Sequence, residues 1–516
     1  MTTRVVVKKN TYVDSVSLMS ISTKANQVEG VVQAFVAMGT DMNKGVLGSL
    51  DLLTPELEAA GTGDLMILVE TDASLSTDEA IAAVEELLTR KTETGGEHQV
   101  TYRTVGAAAA GRPGANLAVI AVNGAFAARE ARQALDNGLH VMMFSDNVAV
   151  EDEVALKRLA HEKGLLMMGP DCGTAIINNV ALCFGNAVRP GSIGIVAASG
   201  TGSQEVSVRI HDFGRGVSQL IGTGGRDLSE EVGGIMMIDG IRALAADPAT
   251  QVIVLVSKPP APSVERKVLA EIKDAGKPVV VCFIGGSEEA VAAAGGHFAS
   301  GTKPAALAAV LLDGASESEL DLHALNWPLI EEVRTKLGPE QRYIRGLFCG
   351  GTICDEVMYA ALERYDDVWS NIQKDPSRRL EAADASREHT FLDFGDDAFT
   401  NGRPHPMIDP SLRMARIVEE AKDPRVGVIA MDFILGYGSH EDPVGVTLPA
   451  IREAKAIAES SGRHLEVLGY VLGTDLDTPS IASQVSALEQ AGVTIASSST
   501  NTGLLAREFV WKEESR

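Results

Sequence analysis

Positive charge is scarce in this chain: 45 Lys and Arg stand against 70 Asp and Glu, a net charge of −25 over 516 residues. A polyanion such as nucleic acid is a poor partner for such a surface. Aromatic residues make up only 4%, so the cores must be built from aliphatic side chains, with Ala and Gly allowing helices to lie close to sheets. The five cysteines, Cys172, Cys183, Cys282, Cys349 and Cys354, form no CxxC pair. Neither a disulfide framework nor a thiolate metal site is expected, and the thiols read as reduced and cytosolic. No run of about 20 apolar residues occurs, and "MTTRVVVKKNTY" lacks a signal core, so the expectation is a cytoplasmic protein with no membrane span.

What is abundant is a rhythm. Short Val/Ile-rich runs, "NLAVIAV", "HVMMFS", "SIGIVAAS", "QVIVLVS" and "KPVVVCFIG", alternate with Ala-rich amphipathic stretches that end at glycine. Continuous apolar strands of this kind are buried on both faces of parallel sheets. The fold class expected is α/β with parallel sheets. Pro190 and Gly191 mark one break, and the charged stretch 313–342 marks another. The breaks divide the chain into a first domain over 1–188, a second over 189–318, a linker over 319–342 and a third domain over 343–516. The polar stretch "DVWSNIQKDPSRRLEAADASREHTF" reads as a long loop.

Within this rhythm "GSIGIVAASGTGSQEV" reads as a buried strand, a Gly-rich turn and a helix. The first N–H groups of a helix have no intrahelical acceptor and sit at the positive end of its dipole, so the turn Ser199, Gly200, Thr201, Gly202 suits an anion such as phosphate. In "FGDDAFTNGRPHPMIDPSLRMARIVEEA", Asp409 and Pro410 signal a helix start, and Arg403 and His405 sit among prolines just before it.

The motifs in order resemble a known architecture. Residues 116–311, through "GLLMMGPDCGT", "SIGIVAASGTGSQEV" and "IGTGGRDLSEEVGG", resemble the alpha subunit of succinyl-CoA synthetase. Residues 343–507, through "RGLFCGGTICDEV", "FLDFGDDAFTNG" and "RVGVIAMDFILGYG", resemble the carboxy-terminal ligase domain of its beta subunit, without an ATP-grasp portion. With "MGTDMNKG", "SKPP" and "NGRPHPMIDP", the whole chain is similar to the FdrA family of acyl-CoA-synthetase-like proteins.

The resemblance implies a Rossmann-like domain over 1–188, flavodoxin-like domains over 189–318 and 343–516, and two opposed phosphate-binding turns, Ser199, Gly200, Thr201 and Gly202 in one flavodoxin-like domain and Gly436, Tyr437, Gly438 and Ser439 in the other. Lys258 of "SKPP" replaces a family Glu and favours a free anion. His297 lies near the spacing of the family's phosphorylated His, against a competing reading as a surface-loop residue. Asp396, Asp397, Asp171 and Cys172 are placed toward substrate. The glycine pattern that would cradle CoA is absent after the first strand, which leaves CoA without its usual residues.

Three functions compete. One is transfer between acyl phosphate and CoA through phosphorylated His297. A second is phosphorolysis of an N-carbamoyl acid such as N-carbamoyl-oxamate to carbamoyl phosphate, in ureide breakdown. There Lys258 and Arg403 would hold phosphate, His405 would protonate the leaving nitrogen, and no cofactor or metal is required. The third is non-catalytic binding of an anionic metabolite for regulation. The expected partners are a small anionic substrate, a second protein subunit and a second copy of the chain.

Overall fold

A computed structural model describes residues 2–512 except 12, 14, 27, 29, 50, 51, 90–99, 321, 323, 324, 382–384 and 401–403. The chain forms two compact units, Met1–Thr101 and Tyr102–Arg516.

In the first unit, strand Leu65–Thr71 lies between Thr2–Lys8 and Val31–Met38 and is antiparallel to both. Side chains alternate across a strand, so Leu65, Ile67 and Val69 bury on one face with Leu18 and Val84 of the helices Ser15–Asn26 and Thr77–Thr89. Met66 and Leu68 bury on the other with Leu47 and Leu57. A single Rossmann-like domain over 1–188 is therefore incorrect. The first hundred residues build an antiparallel sheet of their own, whose outer strands are half-exposed and lack the continuous apolar runs of the parallel strands.

The second unit opens with a three-stranded parallel sheet, Leu117–Ile120, His140–Met143 and Met167–Met168. A seven-stranded sheet follows, ordered His297–Phe298, Val279–Phe283, Val252–Ser257, Pro190–Ala198, Val217–Gly222, Thr174–Ile177, Val180–Cys183. Its first five strands are parallel in flavodoxin order, and the last two form an antiparallel hairpin on one edge. The sheet thus begins at residue 174, and a boundary at 188 would cut it. The third sheet has six parallel strands, with Tyr343–Phe348 between His389–Asp393 and Val426–Ile434. Its edge strand Val368–Ser370 falls inside the stretch read as one loop. The region 319–342 is likewise more than a linker: helix Trp327–Lys336 buries Ile330 and Val333 in the core that holds Phe348 and Phe509.

Both large sheets feed helices with a shared pattern, Gly-Thr-x-x-x-Glu-Val, at 200–206 and 351–357. The two glutamates reach across the boundary in opposite directions. Glu356 accepts from Thr302 N at 3.0 Å and Thr302 Oγ1 at 2.7 Å, capping helix Thr302–Leu312 of the first sheet's domain. Glu205 accepts from Ser499 N at 3.2 Å, at the start of helix Ser499–Phe509 of the second, and also from Tyr470. Burying a carboxylate is costly unless it is hydrogen-bonded, and here each one satisfies helix donors that the other domain leaves open.

Candidate functional site

The strand order of the seven-stranded sheet reverses between Pro190–Ala198 and Val252–Ser257, and ligands of such sheets bind beyond the strand ends at that point. Those two strands deliver Ser199 and Lys258. Ser199 caps helix Gly200–Asp212 by accepting from Gly202 N at 3.0 Å. From the other sheet, strand Tyr343–Phe348 runs through Cys349 and Gly350 into helix Gly351–Leu362. The two helix starts meet: the Ser199 and Thr352 hydroxyls are hydrogen-bonded. A Cβ on Gly202 would lie 2.9 Å from Thr352 Cγ2, and one on Gly350 would lie 3.0 Å from Thr201 Cβ. Glycine is required here by close approach.

Asp432, fully buried, fixes the second turn by accepting from Cys349 N at 2.7 Å and Gly350 N at 2.9 Å while pairing with buried Arg413 at 2.9 Å. The first-turn N–H groups of Gly200, Thr201, Gly351 and Thr352 have no acceptor one turn back, and both dipoles point their positive ends at the junction. The Thr174 hydroxyl is buried and has no hydrogen-bond partner among the described residues, 3.8 Å from where a Gly200 Cβ would stand.

Lys258 Nζ lies 3.7 Å from Asp355 and 3.8 Å from Asp393. Desolvation works against its charge, but Asp355 and Asp393 outweigh that and raise the amine above the usual lysine value. Asp393 is pushed up to about 7 by desolvation, with Lys258 opposing. Asp171, also pushed up to about 7 by desolvation and then by Asp397 and Asp146, feels Lys258 from across the same cleft. Asp397 is raised by desolvation and by Asp396. The cleft therefore combines a candidate anion cradle with a wall of carboxylates around Lys258, with Lys374 near Asp355 and Arg226 near Asp171 and Asp397.

Several expected residues take other places. Gly436, Tyr437, Gly438 and Ser439 do not open a helix; eight residues separate strand Val426–Ile434 from the helix that starts at Pro443. Their loop packs on the 183–185 segment instead, with a Gly436 Cβ position 2.3 Å from Phe184 O and Tyr437 N donating to Gly185 O. The second turn of the cradle is formed by Cys349, Gly350 and Gly351. His297 sits on an exposed edge strand in register with Val280, hence with Val254 and Ile195, well short of the strand ends that carry Ser199 and Lys258. It is not at this site.

Cys172 is buried and its thiol, pushed up to about 12 by desolvation, points to Thr174 O, so it packs rather than lining the cleft. His405 lies beside the site: its Nε2 and Asp393 Oδ1 fall 2.8 and 3.1 Å from a Cβ position on Gly395. Burial holds it down to about 4, and its Nδ1 accepts from Met407 N. A neutral imidazole can donate a hydrogen bond from Nε2 but cannot act as a cationic acid near neutrality. Arg403 lies outside the described residues. Asp355, Asp393, Asp432 and Arg413 escaped the sequence reading. The repeated Gly-Thr-x-x-x-Glu-Val was the available signal for the true second turn.

Two flavodoxin-like domains with facing helix starts define a CoA-ligase-type protein. Residues 188–286 match the CoA binding domain family, residues 347–509 the CoA-ligase family, and residues 1–103 the family described as AllF, heavy metal-associated domain. YahF of Escherichia coli (strain K12) is 64% identical over 514 residues, covering 100% of both chains. The chain belongs to the same FdrA-like family as YahF. Succinate–CoA ligase [ADP-forming] subunit alpha 2 of Archaeoglobus fulgidus is 29% identical over 32% of this chain and 58% of that subunit, and subunit alpha 1 of that organism is 28% identical over 46% and 80%.

Two implied groups can be compared with the residues present. Residues 1–101 contain no cysteine, and no cluster of three His, Cys, Asp or Glu side chains suited to a metal occurs among the described residues. A thiolate heavy-metal site does not fit this unit. The turn after Leu117–Ile120 offers a single glycine, Gly124, whose Cβ position is 2.1 Å from Asp146 O. It is not the glycine-rich cradle that a pyrophosphate of CoA would use. Among the described residues no helix is long and apolar enough to cross a membrane.

Proposed function

We propose that the chain transfers an acyl-type group to and from phosphate held between the two helix starts, and that the group is carbamoyl, taken from an N-carbamoyl acid such as N-carbamoyl-oxamate. The observation that carries this reading is the junction of helices Gly200–Asp212 and Gly351–Leu362 beside Lys258, with His297 out of reach. An anion bound there gains charge-assisted hydrogen bonds from backbone donors, roughly twice as strong as neutral ones. A phosphate oxygen held in place beside a carbonyl carbon needs no covalent enzyme intermediate. The reaction calls for no cofactor, and the carboxylate wall can accept hydrogen bonds from the N–H groups of a ureido substrate. Incubating the purified chain with the ureido acid and phosphate, alone and with a second subunit, should yield carbamoyl phosphate.

The relatives' names favour a second reading, an acyl-CoA ligase part, in which the resemblance would give the phosphorylated role to His297. Acyl phosphate would then label His297, and CoA would be consumed.

A further inference from the structure

We propose that Asp393 carries the proton in this cleft, giving it to the leaving nitrogen and recovering it from the attacking phosphate. This rests on the phosphate-transfer reading above. Asp393 ends strand His389–Asp393, and Asn371 clamps its backbone on both sides, with Asp393 N donating to Asn371 Oδ1 at 2.9 Å and Asn371 Nδ2 donating to Asp393 O at 3.0 Å. Oδ1 accepts from Gly395 N at 2.9 Å. Among the described residues Oδ2 has no such tie. It stands against the helix start, 2.4 Å from where a Cβ on Gly351 would be and 3.8 Å from Lys258 Nζ. The carboxyl is thus 4% exposed, with one oxygen anchored and the other facing the anion cradle.

Among the described residues the groups facing Asp393 are Lys258, Asp355, Asp396, His405, Cys349 and Cys354. Lys258 is held charged by its carboxylate neighbours and is a weak acid. His405 is neutral. Both thiols are raised by burial. Asp396 accepts from Ala398 N, tied to its own turn. Asp355 lies a turn deeper, at the fifth residue of helix Gly351–Leu362.

In the transfer, a phosphate oxygen forms a bond to the carbonyl carbon and the carbon–nitrogen bond breaks, its electron pair staying on nitrogen. The Asp393 proton moves to that nitrogen. The carboxylate then takes the proton released by the attacking oxygen, so Asp393 ends as it began. Its shift toward neutrality places it in the range where a group can both give and take a proton.

Sulfate, a dianion at every pH between 5 and 9, tests the coupling without titrating itself. Calorimetry should show wild-type sulfate affinity several-fold lower at pH 8 than at pH 6, as the ionised carboxylate repels the anion. Asp393→Asn, which keeps an oxygen for Gly395 N, should bind sulfate at pH 8 more tightly than the wild type does at that pH, with most of the pH step gone. Asp171→Asn, which removes the other carboxyl that titrates near 7 beside Lys258, should retain the larger part of the step. Carbamoyl phosphate formation by Asp393→Asn should fall about 10²- to 10⁴-fold, the range for loss of a general acid–base group. A sulfate affinity independent of pH in the wild type, an unchanged step in Asp393→Asn, or turnover of that variant within threefold of wild type would overturn the proposal. If the sulfate results hold and no carbamoyl phosphate forms under any condition, the transfer reading fails while Asp393 stands as the proton-coupled group of the anion site.

Discussion

Replacing Lys258 by Met removes the cation beside the helix junction while keeping most of its stem. Two effects add. The lost charge-assisted hydrogen bond to phosphate is worth about 1.5 to 3 kcal/mol. The anion would also face Asp355 and Asp393 without their counter-ion, which stands 3.7 and 3.8 Å from them. At those distances each ion pair is worth only ~1 kcal/mol at the dielectric of water, and the side chain is 42% exposed, so screening keeps the value near that limit. Asp393 titrates close to 7 and would answer the loss by holding its proton more tightly. Phosphate affinity of Lys258→Met should therefore fall by about 10- to 150-fold at pH 8, the factor for ~1.5 to 3 kcal/mol, and by less at pH 6. Titration calorimetry on folded variant and wild type measures both values. An affinity within twofold of wild type at pH 8 would place the anion somewhere other than this junction.

Gly351→Ala should also weaken phosphate, because its Cβ would fall 2.4 Å from Asp393 Oδ2 and 2.9 Å from Lys258 Nζ and push both aside; circular dichroism checks that the fold persists. Gly438→Val should lower the unfolding temperature more than it weakens phosphate, since its Cβ meets Cys183 O at 3.0 Å, away from the cradle. His297→Ala should keep phosphorolysis within about twofold of wild type, and acyl phosphate should leave no acid-labile label on the chain; labelled His297 would return the protein to the ligase reading. Arg413→Met leaves Asp432 buried and unpaired, and denaturant unfolding should show a loss of about 3 to 5 kcal/mol. Asp393 is protonated up to about 7 when folded and ionises near 3.8 when unfolded. Its contribution to stability is therefore lost as pH rises from about 4 to 7, and Asp393→Asn should gain in unfolding temperature over wild type more at pH 8 than at pH 5.

The parallel strands were legible because burial on both faces writes continuous Val/Ile runs, and Ser199 to Gly202 was legible because a strand, two glycines and a helix follow one another directly. The same reasoning misled at Gly436 to Ser439. A Gly-x-Gly after a strand looks like a turn into a helix, but there the chain first packs against Phe184 and Gly185, a contact with no local trace. The antiparallel unit was hidden because Thr2–Lys8 is exposed at one end and half-buried at the other. Asp393 could be quoted but not weighed. Its chemistry comes from Gly351 and Lys258, which lie 42 and 135 positions away in the sequence and arrive through two different sheets.

The crossed glutamates make each half of the second unit the keystone of the other's last helix. Glu205 and Glu356 are joined through Ser499, whose hydroxyl reaches both at 3.3 and 2.6 Å. One small side chain therefore ties the two arms together. A drift of either half would strip a helix of its cap and strand a buried carboxylate at the same moment, so the halves have no cheap way to hinge apart. The cradle proposed for phosphate, whose donors come equally from both, is then a rigid mould rather than a pair of closing jaws.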